Sequence, residues 1–345
     1  MPPQRIVIRR IDVLERARIV AGIPLRVDAP APLLLIGDGG VASHELGEVV
    51  GVCAEAPLAR VIIREKKHTL DGVGGIASTL RHWGAAPVVA CPEGSGHISS
   101  LQRSLLTQEG IGRLRLSTGL RQITRYTQRV FAGGHQFTHL ETDEEIPPSR
   151  PAVTERGYSK LLQGLADVQL LGIVDSGNAG LGAVDLSTLL KRAERAGIPV
   201  FYEPRTVRLL PLNRLAVIKV NDNQMRQWFG AGIESDAEAR TAAQKMMAST
   251  GADNIIYTRG ERGILLCQRT HGAVGAFLIE PQEKKLFDLV SVGDFVTAAL
   301  LFCMSNKRSL LEAVCFAATA AEYGLDRRYS KRLDLNSIYR LPNHK

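Results

Sequence analysis

Several kinds of residue pattern are missing from this 345-residue chain, and each absence removes a class of protein. No run of about 18 apolar residues occurs, so no helix is expected to cross a membrane. The arginine-rich start, Met1 to Arg18, is broken by Asp12 and Glu15 and lacks the apolar core of a secretory leader. The five cysteines (Cys53, Cys91, Cys267, Cys303 and Cys315) are odd in number and widely spaced, without a CxxC pair, which argues for buried thiols. Eight histidines are scattered without metal-ligand spacing. No internal repeat or low-complexity tract appears. The basic residues that give a net charge of +8 are spread along the chain, with no basic run carrying interleaved aromatics. That spacing argues against nucleic acid as the partner, and a cleft for an anionic small molecule would use the charge equally well. A cytoplasmic protein is the expectation.

What is present is a soluble, globular balance of 45% hydrophobic and 23% charged residues. Leu33 to Ile36 is a short apolar run ending in Gly37-Asp38-Gly39-Gly40, the pattern of a buried parallel strand entering a glycine turn. Ala86–Ala90, Val168–Val174, Pro199–Tyr202, Leu215–Val220 and Asn254–Thr258 read as further strands. Helical stretches lie between several of them: Ile76–Trp83, Asp185–Ala196 closed by Gly197, and Ser235–Thr250 closed by Gly251. Strands alternating with helices predict an α/β fold with a doubly wound, mainly parallel sheet and helices on both faces. Two stretches, about 45–70 and 122–144, alternate polar with apolar residues. They predict a small antiparallel β lid, with a hairpin at Gly133-Gly134. Residues 1–30 read as an N-terminal extension, 31–330 as the main domain and 331–345 as a C-terminal tail.

The segment Phe287 to Phe295 carries the most chemistry, because it opens the apolar helical run Val296 to Met304. Free N–H groups and the positive dipole end of such a helix make an anion site. Asp294, in the first turn, could take a proton from a hydroxyl attacking a phosphoryl group, or could simply cap the helix.

Asp288 to Asp294 resembles the D-T-x-G-A-G-D signature of the PfkB (ribokinase-like) carbohydrate kinases. The resemblance extends in order over nearly all of residues 33–325. Leu33–Gly40 is similar to the family's first strand and G-D turn, and Asp71–Leu80 to its P-G-G-A-A-N segment. Thr124–Glu144 is similar to the lid of the heptose-7-phosphate kinases, and Pro199–Arg205 to their strand ending in D-P-K. Val220–Gln224 sits at the N-x-x-E motif, Thr258–Gly263 at the T-x-G-E-x-G turn, and Ser309–Leu325 at the last helix, beside the adenine.

The resemblance implies ATP-dependent phosphoryl transfer, with Mg2+, to a hydroxyl of a sugar or sugar phosphate, heptose-like substrates being favoured. Asp294 falls on the catalytic base, and Ser291, Val292 and Gly293 on the backbone anion hole. Asn221, Thr258, Gly260, Gly263 and Thr319 fall beside the nucleotide, and Asp38, Gly74, Gly75, Ser78 and Gln136 beside the substrate. Gln224 falls on the residue that touches Mg2+ through water. A homodimer through the lid strands follows by the same analogy. The pattern is broken at Ala42, Ser78, Ser291-Val292, Glu203, Gln224, His139 and Glu141. Losing a hydroxyl acceptor removes about 1.5–3 kcal/mol of charged hydrogen bonding. Either the substrate differs from the standard heptose phosphate, or the chain is a catalytically impaired relative that binds a ligand or regulates.

Overall fold

In a computed structural model of the chain, the structure describes residues 8–23, 32–117, 124–142, 153–175, 181, 184–204, 212, 216–230, 232–270, 272–282, 292–325, 334, 335 and 338. Its strands are β1 (Ile8–Ile11), β2 (Pro32–Gly37), β3 (Gly39–Val52), β4 (Ala59–Gly72), β5 (Ala86–Glu93), β6 (Gly112–Ser117), β7 (Arg125–Ala132), β8 (His135–Thr142), β9 (Leu170–Asp175), β10 (Val200–Pro204), β11 (Val217–Asn221), β12 (Asn254–Thr258), β13 (Ile264–Thr270) and β14 (Ala273–Ile279). Ten of them form one sheet in the order β1-β14-β13-β12-β11-β10-β9-β2-β5-β6. Every pairing is parallel except those of β13, which is antiparallel to both β12 and β14.

The period-2 geometry of the central strands divides the core between two faces. Leu33 and Leu35 of β2 point to one face, and Leu34 and Ile36 point to the other. The first face packs against α1 (Val13–Ala21), α2 (Val73–His82), α3 (His97–Gln108), α8 (Val292–Ser305) and α9 (Leu310–Leu325). The second packs against α4 (Glu155–Gly164), α5 (Leu186–Arg195), α6 (Asp222–Phe229) and α7 (Asp236–Thr250). This is the doubly wound α/β arrangement that the sequence predicts. Helix ends follow the sequence chemistry. Asp185 caps α5, Ser235 and Glu238 form a capping box on α7, and Gly251 closes α7 in the left-handed conformation at φ +83°.

The lid is a separate four-stranded sheet in the order β4-β3-β7-β8. Its first strand leaves the main sheet at once, so the lid begins at Gly39 rather than near residue 45. The Gly133-Gly134 hairpin is present, both glycines at positive φ, joining β7 to β8.

Residues 8–23, which the sequence reading sets in an N-terminal extension, are built into the domain. β1 pairs with β14 over four residues, and α1 packs on α9. Ile11 and Val20 are fully buried there, and Ile11 lies beside Ile279 of β14.

Candidate functional site

A cavity of about 1060 Å³ runs along the ends of β10, β11 and β12, between the lid and α8–α9. Parallel strands release their chains at these ends, so a doubly wound sheet gathers ligand-facing turns there.

The N-terminus of α8 opens onto this cavity through Val292, Gly293 and Asp294. The helix has 14 residues and Asp294 is the third, so a carboxylate stands in the first turn, whose N–H groups have no partner within the helix itself. Ser291, together with residues 288–290, lies outside the described residues.

A buried ion pair anchors that helix start. The Lys219 ammonium donates to Glu203 Oε1 at 2.9 Å, Thr297 Oγ1 at 3.0 Å and the Gly293 carbonyl at 3.2 Å. The Thr297 hydroxyl also contacts Glu203 and, at 3.0 Å, the Gly293 carbonyl. The three donors of Lys219 thus meet three acceptors and tie β10, β11 and α8 together.

Asn221, Gln224, Thr258, Gly260 and Gly263 line the same cavity. Asn221 caps α6: its Oδ1 accepts from the Gln224 backbone N–H at 3.0 Å, and Gln224 Oε1 accepts from the Asn221 N–H at 2.7 Å. The Gln224 amide nitrogen donates to the Pro204 carbonyl at 2.5 Å. The motif resembling N-x-x-E is therefore, locally, a capping box. Thr258 donates to the Val220 carbonyl at 3.1 Å, holding β12 to β11. Gly260 and Gly263 have φ of +58° and +81°, and a Cβ on Gly263 would stand 2.2 Å from the Ile279 carbonyl oxygen. Only glycine fits that turn.

The far end of the cavity is charged, and sequence reasoning missed it. Asp71 of β4, only 7% exposed, faces β7. Its Oδ2 accepts from Thr127 Oγ1 at 3.2 Å and meets the guanidinium groups of Arg125 at 3.4 Å and Arg129 at 3.8 Å. Its Oδ1 accepts from the Gly72 N–H at 3.0 Å. Burial alone would raise the Asp71 pKa, but the two arginines, helped by the Gly72 and Thr127 hydrogen bonds, outweigh it and hold the carboxyl below its ordinary value. The signal was in the sequence as Arg125-x-Thr127-x-Arg129, three polar groups at strand period 2 on one face.

The other residues expected beside the substrate or nucleotide are not among those lining the cavity. Asp38 accepts from the Leu181 N–H at 3.2 Å. Ser78 donates to Glu109. A Cβ on Gly74 or Gly75 would meet Leu70 at 3.2 and 3.1 Å, so these glycines serve the close packing of α2 on β4. Gln136 is exposed on β8, its amide donating to the Thr138 carbonyl at 3.3 Å. Thr319 is buried and bonds back to the Cys315 carbonyl at 3.0 Å, while its neighbours Ala318, Ala321 and Glu322 do face the cavity.

Among the described residues no group of three or more His, Cys, Asp or Glu is placed to hold a metal ion. The Gln224 amide is committed within the protein, and the Glu203 charge is balanced by Lys219. These residues do not fit a magnesium ion held by the chain itself.

Solved structures with this architecture include a phosphofructokinase and a ribokinase. The phosphofructokinase-2 of Escherichia coli, in complex with substrates and products, superposes with a TM-score of 0.66 at 18% identity, over 90% of this chain and 98% of that one. The ribokinase of Arabidopsis thaliana, complexed with ribose and ATP, gives 0.65 at 14% identity, over 91% of this chain and all of that one. The fold is thus ribokinase-like. Residues 147–329 match the pfkB family of carbohydrate kinases, and the chain belongs to that family. It is also similar to the bifunctional protein HldE of Desulfatibacillum aliphaticivorans (25% identical over 292 residues) and of Gluconacetobacter diazotrophicus (27% over 296). Each alignment covers 84% of this chain but only 58% and 59% of those relatives.

Proposed function

We propose that this protein transfers a phosphoryl group from ATP to a hydroxyl of a sugar or sugar phosphate, with a heptose-like acceptor favoured. The observation that carries this reading is one cavity lined by the first turn of α8 with Asp294, by the glycine turn at Gly260 and Gly263, and by Arg125 and Arg129 of the lid. Family membership supports the reaction class, and ribokinase-like kinases use ATP, usually with Mg2+.

The base enters the nucleotide end, where Ile264, Ile279, Pro281, Val296, Ala318 and Ala321 offer an apolar slot. The phosphates lie toward Asn221, Thr258 and the turn from Gly260 to Gly263, with magnesium arriving as part of the Mg·ATP substrate. The acceptor sits under the lid, where Asp71 takes a hydroxyl and Arg125 and Arg129 favour an anionic group. Asp294 removes the acceptor hydroxyl proton as that oxygen attacks the γ-phosphorus, and ADP leaves. The backbone N–H groups of residues 291–293 hold the charge on the transferring oxygens. The lid supports a homodimer of this chain, because Val52, Leu58 and Leu140 are more than half exposed on it.

The test is ADP release in a screen of sugars and sugar phosphates. Asp294→Asn should lower turnover by about 10²–10⁴-fold while leaving Mg·ATP affinity nearly unchanged. No turnover with any acceptor class would overturn the reading. One observation favours a second reading, a ligand-binding relative without efficient catalysis: the internally committed Gln224 and Glu203 leave no acidic group of the N-x-x-E or D-P-K motifs free for the phosphates' cation. Mg·ATP binding by calorimetry without turnover would select it.

A further inference from the structure

The N-terminal unit of β1 and α1 has no role in the reading above, yet its charged side chains converge on the wall of the nucleotide end. Arg16, on α1, is 1% exposed, and its two terminal nitrogens donate to the two carboxylate oxygens of Glu322, each at 2.7 Å. Glu322 lines the cavity from α9, and its Oε1 also accepts from the Gln282 N–H at 2.8 Å. Arg16 donates a further bond, at 3.2 Å, to the Glu280 carbonyl. From β1, the Ile11 carbonyl accepts from the Glu280 N–H at 3.0 Å, and Arg10 reaches the Glu280 carboxylate at 3.1 Å.

The strip Ile279 to Gln282 is therefore clamped between β1 and α1 on one side and Glu322 on the other. Ile279, Pro281 and Gln282 all face the cavity. The Gly263 turn rests on this strip without slack, since a Cβ there would meet the Ile279 carbonyl oxygen at 2.2 Å and Pro281 Cδ at 3.1 Å. A wall so packed has few positions to choose from, and its register is set by the Arg16–Glu322 pair.

We propose that residues 8–23 are a working part of the nucleotide site, with Arg16 as a positioning residue that holds Glu322 and the 279–282 strip against the bound base. This inference rests on the kinase reading. It carries a thermodynamic consequence: if docking of α1 strengthens nucleotide binding, nucleotide binding must strengthen docking of α1 by the same factor.

The experiment combines calorimetry with Mg·ATP and amide hydrogen exchange on the full chain. In the wild type, Mg·ATP should slow exchange over residues 13–23 about fivefold or more. Arg16→Met, which strands the Glu322 carboxylate in the wall, should raise the Mg·ATP Kd about tenfold or more, with Arg16→Lys in between. Leu106→Ala, on the buried face of α3, separates this from simple loss of stability: it should lower Tm while leaving the Kd unchanged. Should Arg16→Met fail to fold, the wild-type exchange measurement decides alone. A wild type that binds Mg·ATP without protecting residues 13–23, or an Arg16→Met protein with wild-type affinity, overturns the inference and leaves the kinase reading standing. A wild type that binds no Mg·ATP removes both.

Discussion

At the α8–α9 end of the cavity, the walls come from elements buried on both sides. At the lid end, they come from a sheet with one face open to solvent. Around α8, Lys219, Glu203 and Thr297 are nearly inaccessible and satisfy one another. On the lid, Val49, Val52, Leu58, Ile62, Phe137 and Leu140 are exposed, and Asp71, Arg125 and Arg129 face the cavity. One end is rigid by packing and internally neutralised. The other is held by strand pairing, and its cavity face sets Arg125 and Arg129 beside Asp71 and Glu141. A phosphotransferase needs both characters, because phosphates must meet preorganised amides while an acceptor must be admitted and covered.

The sharpest way to break this contrast is at the rigid end. Lys219→Met leaves the Glu203 carboxylate buried without a counter-charge and should cost about 3–5 kcal/mol of stability. Adding Glu203→Gln should recover most of it, as denaturant unfolding of the single and double variants would show. If Lys219→Met is no less stable than the wild type, the ion pair does not anchor α8.

The lid should respond to pH through one buried histidine. His44 of β3 is 4% exposed, its Nε2 is 3.0 Å from Thr69 Oγ1, and its ring stacks on Phe131. Burial, then the nearby Arg129, lowers its pKa from 6.5 to about 4; Lys67 and His68 act in the same sense, and Asp71 opposes them. The unfolded lid takes up this proton more readily than the folded one. The stabilisation is therefore complete above pH 6.5, falls as the pH drops toward 4, and amounts to roughly 3 kcal/mol. Protection from hydrogen exchange across β3, β4 and β7, taken relative to the intrinsic rate at each pH, should fall over that window, and His44→Phe should flatten the response. Equal protection at pH 7 and pH 4.5 would remove His44 as the cause.

A smaller effect is expected from Arg129→Met, which keeps much of the side-chain volume but removes one of the two cations beside Asp71. Affinity for a sugar phosphate should fall by about 10–100-fold, corresponding to 1.5–3 kcal/mol, and affinity for Mg·ATP should hold. Loss of both affinities together would mean that the two ends are not separate subsites.

The same division governs how much of the molecule can be read from sequence. Strands such as Leu33–Ile36 and Asn254–Thr258, and helix ends such as Ser235 and Gly251, carry their signals within a few residues, so both elements and boundaries are legible. The α8 start with Asp294, the Asn221 cap and the Thr258–Gly263 turn are legible as motifs, and one cavity brings them together. Asp71 is legible only as the start of the segment similar to P-G-G-A-A-N, and its partners Arg125, Thr127 and Arg129 come across from it only when β4, β3 and β7 pair. Lys219 reads as an interruption of an apolar strand, since its partners lie 16 and 78 residues away. In β1, whose Arg9 and Arg10 are exposed, Ile11 gains its burial beside distant chain. Local chemistry is written locally, whereas ion pairs and edge strands are properties of the assembled fold.

The central claim, that phosphate is received at the start of α8 between the two ends, is tested most directly by a crystal structure with Mg2+ and a non-hydrolysable ATP analogue. The γ-phosphate should lie within hydrogen-bond distance of the Val292 and Gly293 amides, with the Asp294 carboxylate facing it across the space left for an acceptor hydroxyl. A triphosphate lying elsewhere, or an Asp294 carboxylate turned away into the helix cap, would contradict it.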